Sequence, residues 1–271
     1  MRLERELDAA TRLALDAGAA LRRHQAGVLE VSYETHGEPV TLADLEADAI
    51  IRDGLKGAFP DDVVFSEETA DSPVRLSRPL VWIVDPLDST SNFMERGDEY
   101  SVSIGLSIEG RAVLGVVYNP ARNELFAGYQ GAGVTLNGSP VRVSDVSDLE
   151  RARLTASRKE WRRLGNLATT LPIMPVAGMA YELARVAAGL DDAVFSAEPR
   201  TQWSTCAGVA LVLAAGGRAS LLDGGEIRFN RPEPRHPLGM VASGRGLYRL
   251  LLETLGDLLL PDSCPPNGRH P

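Results

Sequence analysis

The sequence is poor in cysteine and has no long uninterrupted apolar segment. Its two cysteines, Cys206 and Cys264, are too few for a disulfide framework, so we expect a reducing compartment. The longest apolar run, 206–217, is interrupted by glycine and is shorter than the roughly 18 residues that a membrane span needs. The first residues, M-R-L-E-R-E-L-D, are charged where a signal peptide would be apolar. Together these features predict a cytoplasmic protein without a membrane partner.

Basic residues are also scarce relative to acidic ones. The 271 residues include 37 acidic and 28 basic side chains, which gives a formal net charge of −9. This balance argues against a protein that coats nucleic acid, and we expect no nucleic-acid polymer as a partner. Hydrophobic residues make up 44% of the chain and charged residues only 24%, so a sizeable core is expected and a disordered chain is excluded.

Hydrophobic periodicity predicts an α/β chain. An amphipathic helix is expected near the N-terminus, and a second helix after Thr41, a typical N-cap with Asp44 three residues later. Gly54 and then Pro60 are expected to help end that second helix. Strands and helices then alternate to the C-terminal region. The pattern predicts two α/β halves, residues 1–150 and 151–271, that form one compact unit.

Three acidic clusters stand at the ends of apolar β-runs or at a helix start. They are Asp44, the pair Glu67-Glu68, and the segment 85–90, which reads D-P-L-D-S-T. Carboxylates at strand ends project into the crevice beyond the sheet, where open α/β folds bind ligands. Asp85 and Asp88 flank a proline turn, and hard oxygen ligands of this kind suit Mg²⁺ together with a substrate phosphate.

Taken singly, each of these patterns also has an ordinary structural interpretation. A D-x-x-D sequence is usually a turn with a capping aspartate, and a Glu-Glu pair after a strand is usually a solvated loop. Other phosphate motifs fit less well. Neither lysine follows the glycines of a Walker loop, and the aspartates do not have the spacing of aspartyl-phosphate phosphatases. The scattered histidines and Cys206 are expected to be structural.

The order of the clusters is more informative than any one of them. T-x-x-D at 41–44, F-S-E-E at 65–68 and W-I-V-D-P-L-D-S-T-S-N-F at 82–93 resemble the magnesium-dependent inositol monophosphatase family. The resemblance covers most of the chain, from about 40 to 243, and is closest to the bacterial 3′(2′),5′-bisphosphate nucleotidase branch. It implies an α/β (α+β) fold, a layered α/β/α/β/α sandwich resembling the sugar-phosphatase fold, whose two halves enclose the site.

The resemblance implies a metal site built from four residues. Glu67 would hold the first Mg²⁺ and help to position the attacking water, and Asp85 would bridge two ions. Leu87 would lend its carbonyl to the first ion, and Asp88 would hold the second. The reaction implied is direct attack of metal-activated water on a phosphomonoester, without a phosphoenzyme.

Further residues are expected around the phosphate. By the same resemblance, Thr90 would orient the water and, with Ser89, contact the phosphate. Asp44 would lie in the outer shell and order water or a third ion. Arg158 follows a strand end in the second half and is a candidate contact for a distal phosphate, although a solvated pair with Lys159 is an equally good interpretation.

Several positions depart from the family pattern. Ser204 stands where the family has an aspartate ligand of the second metal, so we expect one tight and one weak Mg²⁺ site, with a water held by Ser204. Glu34 and Glu182 stand where lysines are usual, and Met179 replaces a small hydroxyl residue. The two glutamates remove positive charge near the expected position of an anionic substrate.

These features predict a Mg²⁺-dependent phosphomonoesterase that hydrolyses a small phosphorylated metabolite. The segments 203–217 and 229–230 favour a 3′(2′),5′-bisphosphate nucleotide such as adenosine 3′,5′-bisphosphate, followed by inositol monophosphate. The alternative is a catalytically impaired relative that binds a phosphorylated ligand as a sensor or partner. Relatives are commonly dimers, so a homodimer is expected.

Overall fold

The computed structural model describes residues 2–28, 31–33, 39–157, 160, 162 and 173–259, with only the backbone of 31–33, 39 and 256–259. The helices are α1 (Glu4–Ala26), α2 (Leu42–Ala58), α3 (Thr90–Met94), α4 (Met179–Ala187), α5 (Trp203–Ala214) and α6 (Arg245–Leu259). The strands before residue 150 are β1 (Val31–Tyr33), β2 (Pro39–Thr41), β3 (Val63–Ser66), β4 (Leu80–Asp88), β5 (Ser101–Ile108), β6 (Arg111–Asn119), β7 (Glu124–Tyr129), β8 (Gly133–Leu136) and β9 (Ser139–Val141). The later strands are β10 (Leu154–Ala156), β11 (Ile173–Pro175), β12 (Ala193–Ser196), β13 (Arg218–Leu221) and β14 (Met240–Ser243).

A capping box closes the first turn of α2. The Thr41 hydroxyl accepts a hydrogen bond from the Ala43 backbone N–H at 3.1 Å, and Asp44 accepts one from the Thr41 backbone N–H at 2.8 Å. Side-chain acceptors of this kind satisfy N–H groups that have no partner within a helix. The N-cap prediction for Thr41 is confirmed.

The expectation that Gly54 helps to end α2 is wrong, whereas the helix does end just before Pro60, with Phe59 as its C-cap. The helix continues to Ala58, and a Cβ at position 54 would overlap the Leu13 side chain of α1. A residue without a side chain lets Leu13 of α1 pack directly against α2 here. The contacts between the two helices outweigh the low helix propensity of glycine.

The strands from β3 to β9 form one mixed sheet among the described residues, and they follow each other in sequence order. The pair β3–β4 is parallel, and every later neighbouring pair is antiparallel. The β5–β6 hairpin turns at Glu109 and Gly110, whose φ angles of 51° and 77° suit a type I′ turn. The ladder between β4 and β5 is irregular from Asp85 to Asp88, so the acidic end of β4 departs from regular pairing.

A second mixed sheet of the described residues has the strand order β11-β10-β12-β14-β13. Helices α1 and α2 pack on one face of the first sheet, α4 and α5 lie between the two sheets, and α6 packs on the second sheet. This arrangement is a layered α/β/α/β/α sandwich, and the fold-class prediction is confirmed. In the described part of the chain, none of the helices combines the length and apolarity that crossing a bilayer requires.

Helix α5 is buried on nearly all sides because it fills the space between the sheets. Cys206 and Ala207 are both fully buried. The first sheet accommodates the helix at Gly105 and Gly115, where an added Cβ would overlap Cys206 and the Ala207 carbonyl respectively. The absence of side chains at these two strand positions sets how closely the helix approaches the sheet.

Gly115→Ala should destabilise the protein because the new methyl group would be forced against the α5 backbone. We expect a loss of about 3 kcal/mol of unfolding free energy, measured by urea denaturation. Gly57→Ala is the matched control, since a Cβ there meets nothing within 4 Å and α2 should gain ~0.5–1 kcal/mol. Equal stability of the two variants would show that the α5 contact does not limit packing.

Candidate active site

Most residues singled out by the sequence analysis line one cavity, and Asp44 lies behind it against Thr90. This cavity has a volume of about 850 Å³ and lies where the end of β4, helix α3 and the N-termini of α4 and α5 meet. Its lining includes Glu67, Asp85, Leu87, Asp88, Ser89, Thr90 and Ser204. Arg158, by contrast, lies outside the described residues.

Glu67 and Asp85 are neighbours because β3 and β4 are parallel and adjacent. The Glu67 backbone N–H donates to the Val84 carbonyl at 3.2 Å, which extends the β3–β4 pairing by one residue. The two carboxyl groups lie within hydrogen-bonding reach of each other. Asp85 is only 2% exposed, and its Oδ1 has no hydrogen-bond partner among the described residues.

Burial and mutual repulsion disfavour the charged forms of these carboxyls. Burial is the largest cause that raises the pKa of Glu67, to about 7, and the charges of Asp88 and Asp44 add to it. Burial also raises the pKa of Asp85 well above its ordinary value, with the charges of Glu67 and Asp88 acting in the same direction. The cavity thus concentrates negative charge, a condition that a bound cation would relieve.

Asp88 connects the end of β4 to the N-terminus of α4. Its Oδ2 accepts a hydrogen bond from the Ala180 backbone N–H at 2.8 Å. Gly178 precedes the helix with a φ of 86°, and a Cβ at that position would lie 2.8 Å from Asp88 Oδ2. Burial raises the pKa of Asp88 to about 6, although N–H groups of α4 and the charge of Arg200 oppose it.

The Thr90 hydroxyl lies between two acceptors. Its Oγ1 is 3.1 Å from the Leu87 carbonyl oxygen and 3.3 Å from Asp44 Oδ1. Asp44 is held from the other side by Thr41, whose hydroxyl donates to Oδ2 at 2.6 Å. Burial raises the pKa of Asp44 more than these hydrogen bonds lower it. The capping box of α2 therefore positions a carboxylate against the hydroxyl of Thr90.

The two serines expected near the phosphate also line the cavity. Ser89 immediately precedes α3 and has a φ of 76°, in the left-handed region that non-glycine residues seldom adopt. Ser204, in the first turn of α5, is 8% exposed and accepts a hydrogen bond from the Thr201 hydroxyl at 2.9 Å. Ser204 therefore shares the cavity with Asp88.

Several charged residues of the cavity were not among the predicted site residues, and two of them bear most on its chemistry. Glu182 lies on α4 and is fully buried, yet it lines the cavity. Arg200 donates from Nε to the Ser196 hydroxyl at 2.7 Å and from Nη2 to the Ser157 hydroxyl at 3.4 Å. A glutamate in the first turn of a largely apolar helix is a usable sequence signal. Arg200 offers no such signal, because it lies in the irregular segment between β12 and α5.

The donor set suits Mg²⁺. Glu67, Asp85, Asp88 and the Leu87 carbonyl supply the hard oxygens that this ion prefers. Within the described ranges, no three His, Cys, Asp or Glu side chains are gathered at metal-ligand spacing. The fit therefore rests on the oxygen donors, on the burial of Asp85 and Asp88, and on the Asp85 Oδ1, which has no hydrogen-bond partner among the described residues.

Comparison with known proteins agrees with this site. The sequence profile of the inositol monophosphatase family matches residues 2–259. The chain belongs to this family. The solved inositol monophosphatase from Anabaena has a TM-score of 0.80 at 28% identity, over 95% of this chain and 97% of that chain. The Thermotoga maritima IMPase has a TM-score of 0.82 at 27% identity, over 94% and 98%.

Known relatives of this inositol monophosphatase family member carry different names. The "Nus factor SuhB" of Salmonella typhimurium is 34% identical over 231 residues, which is 81% of this chain and 86% of that protein. "Inositol monophosphatase 3" of Solanum lycopersicum is 34% identical over 228 residues, or 79% and 85%. "Histidinol-phosphatase" of Chlorobaculum parvum is 31% identical over 231 residues, or 80% and 88%.

The family resemblance is therefore confirmed, whereas the finer predictions stay predictions. None of the three relatives above has the name of a bisphosphate nucleotidase. The homodimer, the cytoplasmic location, the absence of a nucleic-acid partner and the boundary at residue 150 are likewise untested.

One wall of the cavity depends on a buried histidine. Pro234 and Arg235 line the cavity, and the following residue, His236, is 3% exposed. The His236 Nε2 lies 2.9 Å from the Thr205 hydroxyl of α5, and its ring packs edge-on against Phe229. Burial lowers the pKa of His236 to about 4, and the charge of Arg231 adds to this shift.

His236 should make the protein less stable in acid. Its folded pKa lies below the ordinary value of 6.5, so unfolding binds a proton between these two values, and stability falls as pH drops from 6.5 towards 4. Between pH 6.5 and pH 4, His236 should lower the free energy of unfolding by on the order of 3 kcal/mol. His236→Gln should give a flatter dependence of unfolding free energy on pH in urea titrations. Parallel pH profiles for the two proteins would contradict the burial of a neutral imidazole.

Proposed function

We propose that this inositol monophosphatase family member is a Mg²⁺-dependent phosphomonoesterase that acts on a small phosphorylated metabolite. The observation that supports this function is the cavity in which Glu67, Asp85 and Asp88 meet the Thr90 hydroxyl. Carboxylates that are buried together in a ligand-sized cavity are unfavourable for stability alone, and perturbed acids of this kind cluster at functional sites.

Four groups are proposed to hold the metal. Glu67, Asp85 and the Leu87 carbonyl would form the first site, and Asp85 and Asp88 would contribute to the second. Mg²⁺ bound there would lower the pKa of a water molecule and neutralise charge on the phosphoryl group. The cavity carboxylates are held on a strand end and at a helix N-terminus, so their positions are set before substrate arrives.

Thr90 and Asp44 are proposed to handle the proton of the attacking water. The Thr90 Oγ1 would accept a hydrogen bond from this water while donating its own hydrogen to Asp44 Oδ1, which lies 3.3 Å away. Burial raises the pKa of Asp44 and so makes it a better proton acceptor than an exposed aspartate. The water would attack phosphorus and pass a proton through Thr90 to Asp44 while the ester P–O bond breaks. The leaving alkoxide would take a proton from solvent water and depart as the alcohol, and Asp44 would return its proton to solvent as inorganic phosphate leaves.

Cationic and hydroxyl groups on the cavity wall are proposed to bind the substrate. Ser89 and Thr90 follow the carboxylates directly and would contact the phosphate oxygens, and Ser204 would hold a water. Arg200 lines the cavity, and among the described residues its guanidinium is hydrogen-bonded to serine hydroxyls rather than paired with a carboxylate. It is therefore available for a second anionic group of the substrate. Arg158 remains a proposed contact for a distal phosphate.

The substrate class is the finer part of the proposal. Relatives named inositol monophosphatase and histidinol-phosphatase support inositol monophosphate and histidinol phosphate as candidates. The sequence segments around Trp203 favour adenosine 3′,5′-bisphosphate, and a cavity of about 850 Å³ admits a nucleotide as well as a polyol. All three esters belong in the first substrate screen.

A second candidate function is binding without turnover. Ser204 provides a neutral hydroxyl where the family has an aspartate, so a weakened second metal site could leave a protein that binds a phosphorylated ligand as a sensor. Calorimetry separates the two functions. Ligand binding without phosphate release supports the sensor, and turnover at ordinary enzyme rates rejects it.

The purified chain should release inorganic phosphate from at least one of the three esters in the presence of Mg²⁺ or Mn²⁺. Asp85→Asn should abolish this activity because it removes a buried carboxylate from the metal donors, and colorimetric phosphate detection measures both results. The proposed function would be contradicted if no ester released phosphate with either metal, or if Asp85→Asn kept full activity.

Thr90→Ala should lower kcat by about 10²–10⁴-fold with little change in KM, because it removes the hydroxyl between the water and Asp44. Thr90→Ser is the matched control, since it keeps the hydroxyl and should retain most of the activity. If both variants lost the same activity, the role of Thr90 would lie in its methyl group and packing rather than in proton handling.

A further inference from the structure

Glu182 is the most unusual charged residue of the cavity. The residue is fully buried, and neither of its carboxylate oxygens has a hydrogen-bond partner among the described residues. Buried carboxylates normally pair with a cation or accept hydrogen bonds, because transfer of an unpaired charge from water is very costly. A side chain of this kind indicates a bound ligand. The proposed metal and phosphate sites described above give Glu182 no role.

The position of Glu182 places it beside the proposed metal site. Its backbone N–H donates to the Gly178 carbonyl at 2.9 Å, so Glu182 lies one turn into α4. Side chains of a helix lean towards its N-terminus. That end of α4 is where the Ala180 N–H binds Asp88, and Glu182 lines the same cavity as Asp88 and Ser204.

The electrostatic surroundings of Glu182 favour a bound cation over a preformed ion pair. Burial raises its pKa well above the ordinary value, and the charges of Asp88 and Glu160 act in the same direction. The charge of Arg200 opposes this shift, but the guanidinium hydrogen-bonds serine hydroxyls and not Glu182. A bound cation would therefore stabilise the charged forms of the cavity carboxylates.

We propose that Glu182 is a divalent-cation ligand of this cavity and supplies, beside Asp88, the carboxylate that Ser204 does not. The inference rests on the proposed metal site of Asp85 and Asp88. The earlier expectation was a weak second Mg²⁺ site. With Glu182 of α4 as a ligand, the second site would keep the negative charge that an aspartate at position 204 of α5 would otherwise supply. The oxygen that Glu182 offers is of the type that Mg²⁺ and Mn²⁺ prefer.

The test is a calorimetric titration of Mn²⁺ into the metal-free full-length chain without substrate. Glu182→Gln keeps the shape of the side chain and removes its charge, and it should weaken one class of Mn²⁺ site by at least about 10-fold. Glu198→Gln is the matched control, because Glu198 lines the same cavity and the charge change is identical. Glu198 is only partly buried and is not one of the proposed ligands, so this control should change affinity by less than about 3-fold. Equal effects of the two variants would overturn the proposal.

A rescue variant separates ligand loss from misfolding. In the Glu182→Gln background, Ser204→Asp should restore Mn²⁺ affinity to within about 3-fold of the wild type, and its effect there should exceed its effect in the wild-type chain. Such coupling shows that the two positions serve one ion. Additive effects, or a rescue variant that folds but regains no affinity, would overturn the proposal.

The outcomes also separate this inference from the proposed function. Turnover by the wild type together with an unchanged Mn²⁺ titration in Glu182→Gln overturns the inference and leaves the phosphomonoesterase intact. If Glu182→Gln weakens Mn²⁺ binding but the wild type releases no phosphate from any ester, the cation site is supported and the hydrolase function is rejected. If Glu182→Gln left Mn²⁺ binding unchanged but weakened histidinol phosphate binding, Glu182 would contact an ammonium group instead, and the proposal would be overturned.

Discussion

The hydrogen bond between the Asp88 carboxylate and the N-terminus of α4 is the contact on which the site depends. Asp88 ends β4 of the first sheet, whereas α4 lies between that sheet and the second one. The contact requires Gly178, because its φ of 86° and the nearness of Asp88 Oδ2 both disfavour a side chain. It orients α4 and thereby brings Glu182 into the cavity, and it stabilises an otherwise unfavourable buried carboxylate through the N–H groups of the helix.

The hydrophobic core holds these charged groups together at a cost to stability. One buried cluster joins Phe65 and Val81 of the first sheet to Leu183 of α4 and Val209 of α5, so packing continues across the layers that enclose the cavity. Every carboxyl of the site that is shifted, Asp44 included, has its pKa raised chiefly by burial. The core therefore maintains an arrangement that repulsion between carboxylates would otherwise disperse, and a bound cation would strengthen it.

Most of the site residues were predicted from the order of three short motifs along the chain. Glu67, Asp85, Asp88 and Thr90 were expected in one place because a family pattern links them, and the structure brings all four to one cavity. Their local chemistry alone was ambiguous, since D-x-x-D is usually an ordinary turn. The prediction that Gly54 helps to end α2 was wrong because it used only the local sequence. The meaning of Gly54 lay in the contact with α1, which no local pattern encodes.

The sequence by itself determined the alternation of helices and strands, the N-cap at Thr41 and the acidic ends of β3 and β4. These features follow from periodicity and from hydrogen bonds between residues close in the chain. Only the tertiary structure decided that Asp44 lies against Thr90, and that the oxygens of Glu182 are buried without a hydrogen-bond partner among the described residues. Both facts depend on how distant elements pack, because burial and unpaired charge are properties of the assembled layers rather than of any single segment.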